Sequence, residues 1–89
     1  AADSYYTKGK SQFLSNNFTE AKTYLETALN YTSNENFVDD TLYYLAKIAE
    51  EDNDTVKAKE LYNKIVKEYP DSNQLTNVKN ALQKLNEAN

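Results

Sequence analysis

The stretch Leu42-Tyr43-Tyr44-Leu45-Ala46-Lys47-Ile48-Ala49, continued by Ala58, Tyr62, Ile65 and Pro70, decides how this chain folds. Leu42, Leu45, Ala46 and Ala49 recur at i, i+3, i+4 and i+7, which lays them along one stripe of an α-helix. Ala58, Tyr62 and Ile65 form the matching stripe of a second helix, and Pro70, which has no backbone N–H to donate, closes it. Between the two stripes Asp52-Asn53-Asp54 has turn chemistry. The stretch is a helical hairpin.

The same frame recurs upstream. Superposing Ala21-x-x-x-Leu25-x-x-Ala28 on Ala58-x-x-x-Tyr62-x-x-Ile65 gives an offset of 58 − 21 = 37 residues, and Tyr5 stands the same 37 before Leu42. Two helices sharing one offset mark an internal repeat, a unit that buries its apolar face only by stacking on its neighbour. The spacing predicts five helices, over about residues 3–15, 18–31, 37–51, 55–69 and 73–88. Asn16-Asn17 turns the chain after the first. Asn17 with Glu20 makes a capping-box-like start to the second, the Asn17 amide oxygen accepting from a first-turn N–H. Asn36 is the expected N-cap of the third, Asp39 and Asp40 suit the positive end of its dipole, and Asp71-Ser72 caps the fifth.

Phe18, Ala21, Leu25, Ala28 and Leu29 are expected to face inward from the second helix. Val56, Leu61, Tyr62, Ile65, Val66 and Tyr69 do so from the fourth, and Leu75, Val78, Leu82 and Leu85 from the fifth. Glu60 and Lys64 make a surface pair four residues apart.

Eighty-nine residues hold one small domain, and a single Gly and a single Pro leave little punctuation for hairpins of strands. Eight Tyr and three Phe supply most of the large packing groups, since Trp, Met and Cys are absent. Every cation is a Lys and the formal net charge is −4, so the guanidinium forks and basic footprint of nucleic-acid recognition are missing. No apolar run approaches the roughly 20 residues that span a bilayer, so no direct membrane insertion is expected of this segment. The chain opens on Ala1 rather than Met, which suggests a processed form or an excised fragment.

Catalytic equipment is equally sparse. Without His and Cys there is neither the commonest general base nor a thiol nucleophile, and one Gly cannot make a phosphate loop. Glu50-Glu51-Asp52-Asn53-Asp54 has the acidity of a calcium loop, but counting from Asp52 the sixth position is Lys57 and the twelfth Asn63, where such a loop needs Gly and Glu. A solvated turn is expected there, with no metal and no cofactor. Asn-x-Thr sequons stand at Asn17, Asn30 and Asn53, about as often as composition alone would place them.

The hairpin frame resembles the tetratricopeptide repeat (TPR), whose period of about 34 residues is lengthened here by the polar connector Ser33-Asn34-Glu35-Asn36. The resemblance implies an all-α, TPR-like right-handed stack of antiparallel helix pairs. It would form a single domain with repeat one over about 2–35, repeat two over about 36–72 and a capping or partial third repeat over about 73–89. Aligning Ala81-Leu82-x-x-Leu85 with Thr41-Leu42-x-x-Leu45 makes the fifth helix the opening of a third unit. Its polar face of Lys79, Asn80, Gln83, Lys84 and Glu87 makes it a cap. Lys8 and Gln12 stand where the motif prefers Leu and an aromatic, and Asn16 where it prefers Gly.

Asp39-Asp40-Thr41-Leu42-Tyr43-Tyr44-Leu45-Ala46, with Glu68-Tyr69-Pro70-Asp71-Ser72, resembles repeats of bacterial cell-envelope proteins of the outer-membrane assembly lipoprotein and Tol–Pal coordinator type. That resemblance implies an extracytoplasmic location. The family resemblance implies a non-enzymatic scaffold that binds a peptide or partner helix in the concave groove of its first helices. Carried onto this chain, the groove positions are Tyr6, Lys10 and Phe13, then Tyr43, Lys47 and Glu50, with Gln83 and Glu87 on the last helix. Tyr6 and Lys10 occupy the places of the Lys and Asn of a carboxylate clamp, so that variant is not expected. Tyr6, Phe13 and Tyr43 also suit plain helix–helix packing. The rival function is homo-oligomerisation through exposed repeat ends.

Overall fold

The computed structural model describes residues 2–31 and 37–87. These residues form five helices: α1 (Ala2–Leu14), α2 (Phe18–Tyr31), α3 (Val38–Glu51), α4 (Thr55–Glu68) and α5 (Leu75–Glu87). α1 pairs with α2 and α3 with α4; α2 packs on α3, α1 touches α3, and α5 docks on α4. The body measures 38 × 27 × 17 Å, and its least dimension is the depth of two helix layers. This is the all-α, TPR-like helical repeat that the resemblance implies.

The repeat is written into the backbone as well as the side chains. Asn16 and Asn53 both adopt the left-handed conformation, with φ of 65° and 60°. Each turn closes with the same bond: Asn17 N–H donates to the Gln12 carbonyl at 2.8 Å, and Asp54 N–H to the Ala49 carbonyl at 2.8 Å. All three residues of the second turn lie 37 after their counterparts (53 − 16 = 54 − 17 = 49 − 12 = 37). The left-handed φ explains why the motif prefers Gly at this place; Asn tolerates it better than other side chains do.

The core is continuous along the stack. Ala21 and Leu25 of α2 cluster with Leu45 and Ile48 of α3. Leu42 and Ala46 of α3 cluster with Ala58, Tyr62 and Ile65 of α4 and Val78 of α5. Leu25, Tyr62, Ile65 and Val78 are fully buried, and the aliphatic ones among them contribute about 1.5–3 kcal/mol each. Gly9 lets α1 approach α2: a Cβ there would lie 2.7 Å from Leu25 Cγ. Ala46 and Tyr62 hold the equivalent positions in the second hairpin (46 − 9 = 62 − 25 = 37). Thr41, the one buried polar residue among the described residues, donates its hydroxyl to the Phe37 carbonyl at 2.7 Å.

Several local expectations are corrected. Val56 is 78% exposed rather than inward, because it lies off the Ala58-Tyr62-Ile65 stripe. Glu60 pairs with Lys57 at 3.6 Å instead of Lys64. Asn17 Nδ2 donates to Gln12 Oε1 at 2.8 Å, which ties the turn back to α1. α3 begins at Val38 with Phe37 as N-cap; the expected cap, Asn36, lies outside the described residues. α5 begins two residues later than expected, because Ser72 Oγ accepts from Gln74 N–H at 3.0 Å and holds a local turn first. Its first turn repeats that of α3 37 residues on, Val78 N–H to the Gln74 carbonyl matching Thr41 N–H to the Phe37 carbonyl. The alignment of Ala81 with Thr41 would instead give 81 − 41 = 40.

Candidate functional site

α1 and α3 bring their aromatic residues together on one face. Tyr44 is the hinge of the cluster: its ring centroid lies 5.1 Å from that of Phe13 and 6.4 Å from that of Tyr6. Tyr6 also stacks on Phe37 at 5.5 Å, and Phe13 meets Phe18 at 5.6 Å. Tyr43 continues the strip, 5.6 Å from Tyr44 and 6.2 Å from the buried Tyr62. Tyr6, Phe13, Tyr43 and Tyr44 are each half-buried. The rings therefore do both things the sequence allows, packing helix against helix while keeping part of their surface in solvent.

Two lysines overlie the strip. Lys10 Nζ is 6.0 Å from the centroid of Tyr44, and Lys47 Nζ is 5.7 Å from that of Tyr43. These are the outer range for attraction between an ammonium and an aromatic face. Lys47 also stands 4.0 Å from Glu50, whose carboxylate accepts the phenolic hydroxyl of Tyr62. Glu50 is thus partly committed within its own hairpin. Burial first, then the Glu50 hydrogen bond and charge, push the ionisation of Tyr62 well above the ordinary tyrosine value. Burial, followed by the charge of Asp40, pushes Tyr6 up to about 12.

Six of the expected positions, Tyr6, Lys10, Phe13, Tyr43, Lys47 and Glu50, are joined by these contacts into one patch across α1 and α3. Gln83 lies apart on α5, its Nε2 donating to Glu87 Oε1 at 3.2 Å. α5 is tied to α3 by a different residue: Gln74 Nε2 donates to Asp40 Oδ1 at 3.1 Å. Spacing alone did not assign Tyr44, Phe37 or Tyr62 to the patch. The signal for Tyr44 was the doublet Tyr43-Tyr44, in which one ring meets Tyr62 of its own hairpin and the other meets α1 of the previous one.

The opposite face carries a cleft of about 560 Å³ between α2 and α4, lined by none of the patch residues. Among the described residues no group of His, Cys, Asp and Glu is placed to hold a metal ion. No helix among them is long and apolar enough to cross a membrane.

Residues 40–72 match the family model for the tetratricopeptide repeat. The matched stretch holds most of α3, all of α4 and the Pro70 stop. Repeats of this family generally mediate protein–protein interaction. Comparison with curated proteins and with solved structures gave no match.

Proposed function

We propose that the chain is a non-enzymatic interaction module whose α1–α3 face receives a peptide or a helix of a protein partner. The observation that carries this is the aromatic strip itself: four half-buried rings from two successive first helices, with Lys10 and Lys47 over them. Half-buried rings offer apolar area that is already ordered, so docking costs little side-chain entropy. Lysines at the same position of each hairpin give a segment lying across the face its register. Binding leaves the backbone nearly unchanged, because the rings already hold each other. α5, which carries Gln83 apart from this face, acts as the polar cap of the stack. The bacterial cell-envelope reading rests on the resemblance of Asp39–Ala46 and Glu68–Ser72 to repeats of that type.

A pull-down that compares the wild type with the Tyr43→Ala, Lys47→Glu double variant tests the site. Lys10→Glu serves as a second variant, since Lys10 touches the strip without entering the core. Both variants are expected to lose the bound partner while keeping their helical circular dichroism. Equal recovery from all three proteins would contradict the assignment.

A further inference from the structure

α2 and α4 both lie on α3 and run antiparallel to it, so they are parallel to each other and form the two banks of the cleft of about 560 Å³. Its floor is apolar: Leu42, Leu45, Ile48 and Ala49 come from α3, with Leu29 and Leu61 reaching in from the banks. The α4 bank runs from Asp54 to Glu68, roughly 21 Å or about four helical turns.

The charges on the rim are ordered along that length. Asp52 and Asp54 stand where α3 turns into α4; Lys64 and Lys67 stand at the other end. On the α2 bank Lys22 and Glu26 offset each other, and Glu68 offsets one of the two lysines, which leaves a net negative first end at Asp52 and Asp54 and a single net positive charge at the second. Lys57 and Glu60 neutralise each other at 3.6 Å. Among the described residues Lys22, Glu26, Lys64 and Lys67 have no ion-pair partner.

We infer that this cleft is a second docking site, which seats an amphipathic helix of a partner protein. The occupant follows from the rim. A fatty-acyl amphiphile carries one headgroup of one sign, so it complements only one of the two oppositely charged ends. A helix of about four turns lays an apolar stripe along the floor and presents opposite charges to the two ends at once. Helices carry carboxylates best in the first turn and lysines best in the last. The occupant therefore runs from the Lys64/Lys67 end to the Asp52/Asp54 end, antiparallel to both banks.

The probe is a synthetic peptide of about 16 residues, blocked at both termini, with leucines at helical spacing, glutamates in its first turn and lysines in its last. Titrated into the protein, it is expected to move the methyl NMR signals of Leu29, Ile48 and Leu61 saturably and to leave the ring signals of Phe13 and Tyr44 in place. Because Lys64 and Lys67 are exposed, the K64E/K67E variant keeps its fold; it is expected to bind the probe about tenfold more weakly. Unmoved methyl signals, or an unchanged affinity in that variant, would overturn the inference. So would methyl shifts produced by concentrating the protein alone, which indicate a second copy in the cleft. Shifts produced by decanoate and not by the peptide would assign the cleft to an amphiphile instead.

Discussion

Gly9 and Tyr62 show how single residues set this fold. Helix propensity alone says that Gly9→Ala should stabilise α1 by about 1 kcal/mol. Contact says otherwise: the new methyl would sit 2.7 Å from Leu25 Cγ and 2.8 Å from its Cδ2, and Leu25 is fully buried. Overpacking of that kind costs about 1–3 kcal/mol, so the expected net effect is a loss of stability, read as a lower midpoint in urea. A higher midpoint would show that α1 and α2 leave room for a methyl group at Gly9. The sequence made the Ala58-Tyr62-Ile65 stripe plain, because an uninterrupted helical period needs no tertiary information. It left Gly9 unread, since a glycine's role as a contact surface exists only once Leu25 stands opposite. Val56 misled for a related reason: an apolar side chain one position off the stripe looks like core until the helix is oriented.

At the level of elements, the α3–α4 hairpin is fastened by the Tyr62 hydroxyl on Glu50. Tyr62→Phe is expected to cost about 1.5 kcal/mol at neutral pH, the usual worth of a hydrogen bond to a charged acceptor. The bond also has a pH signature. Tyr62 and Tyr6 both ionise above the ordinary value of 10.0 in the folded chain. A folded pKa that is raised means the native state holds its proton more tightly than the unfolded chain does. The stability so gained is fully present below about pH 10 and is lost as pH climbs toward the folded values. The wild-type melting temperature should hold steady up to about pH 9 and fall above about pH 10. Tyr62→Phe should start lower and fall less steeply. Parallel alkaline slopes in the two proteins would contradict this. The helix boundaries themselves were legible to within two residues, and they erred where side chains form local turns before the helix starts, at Ser72 above all.

For the whole molecule, the offset of 37 residues does the organising: it recurs in the core pairs, in the left-handed Asn16 and Asn53, and in the first turns of α3 and α5. Periodicity placed Tyr6, Lys10, Phe13, Tyr43, Lys47 and Glu50 on the first helices. It did not show that Glu50 is drawn to Tyr62, or that Tyr44 is the ring through which the two hairpins meet, because both facts depend on how one repeat rotates onto the next. It was silent on the α2–α4 cleft, which belongs to no single repeat. Two faces with different chemistry follow, an aromatic strip with lysines on one side and an apolar cleft with a polar rim on the other. Both require the hairpins to nest in parallel. The most direct test is a nuclear Overhauser spectrum of the folded protein with assigned tyrosine rings. Cross-peaks from the Tyr44 ring to the rings of both Tyr6 and Phe13 are the predicted result. A Tyr44 ring with cross-peaks only within α3 and α4 would separate the hairpins and contradict the account.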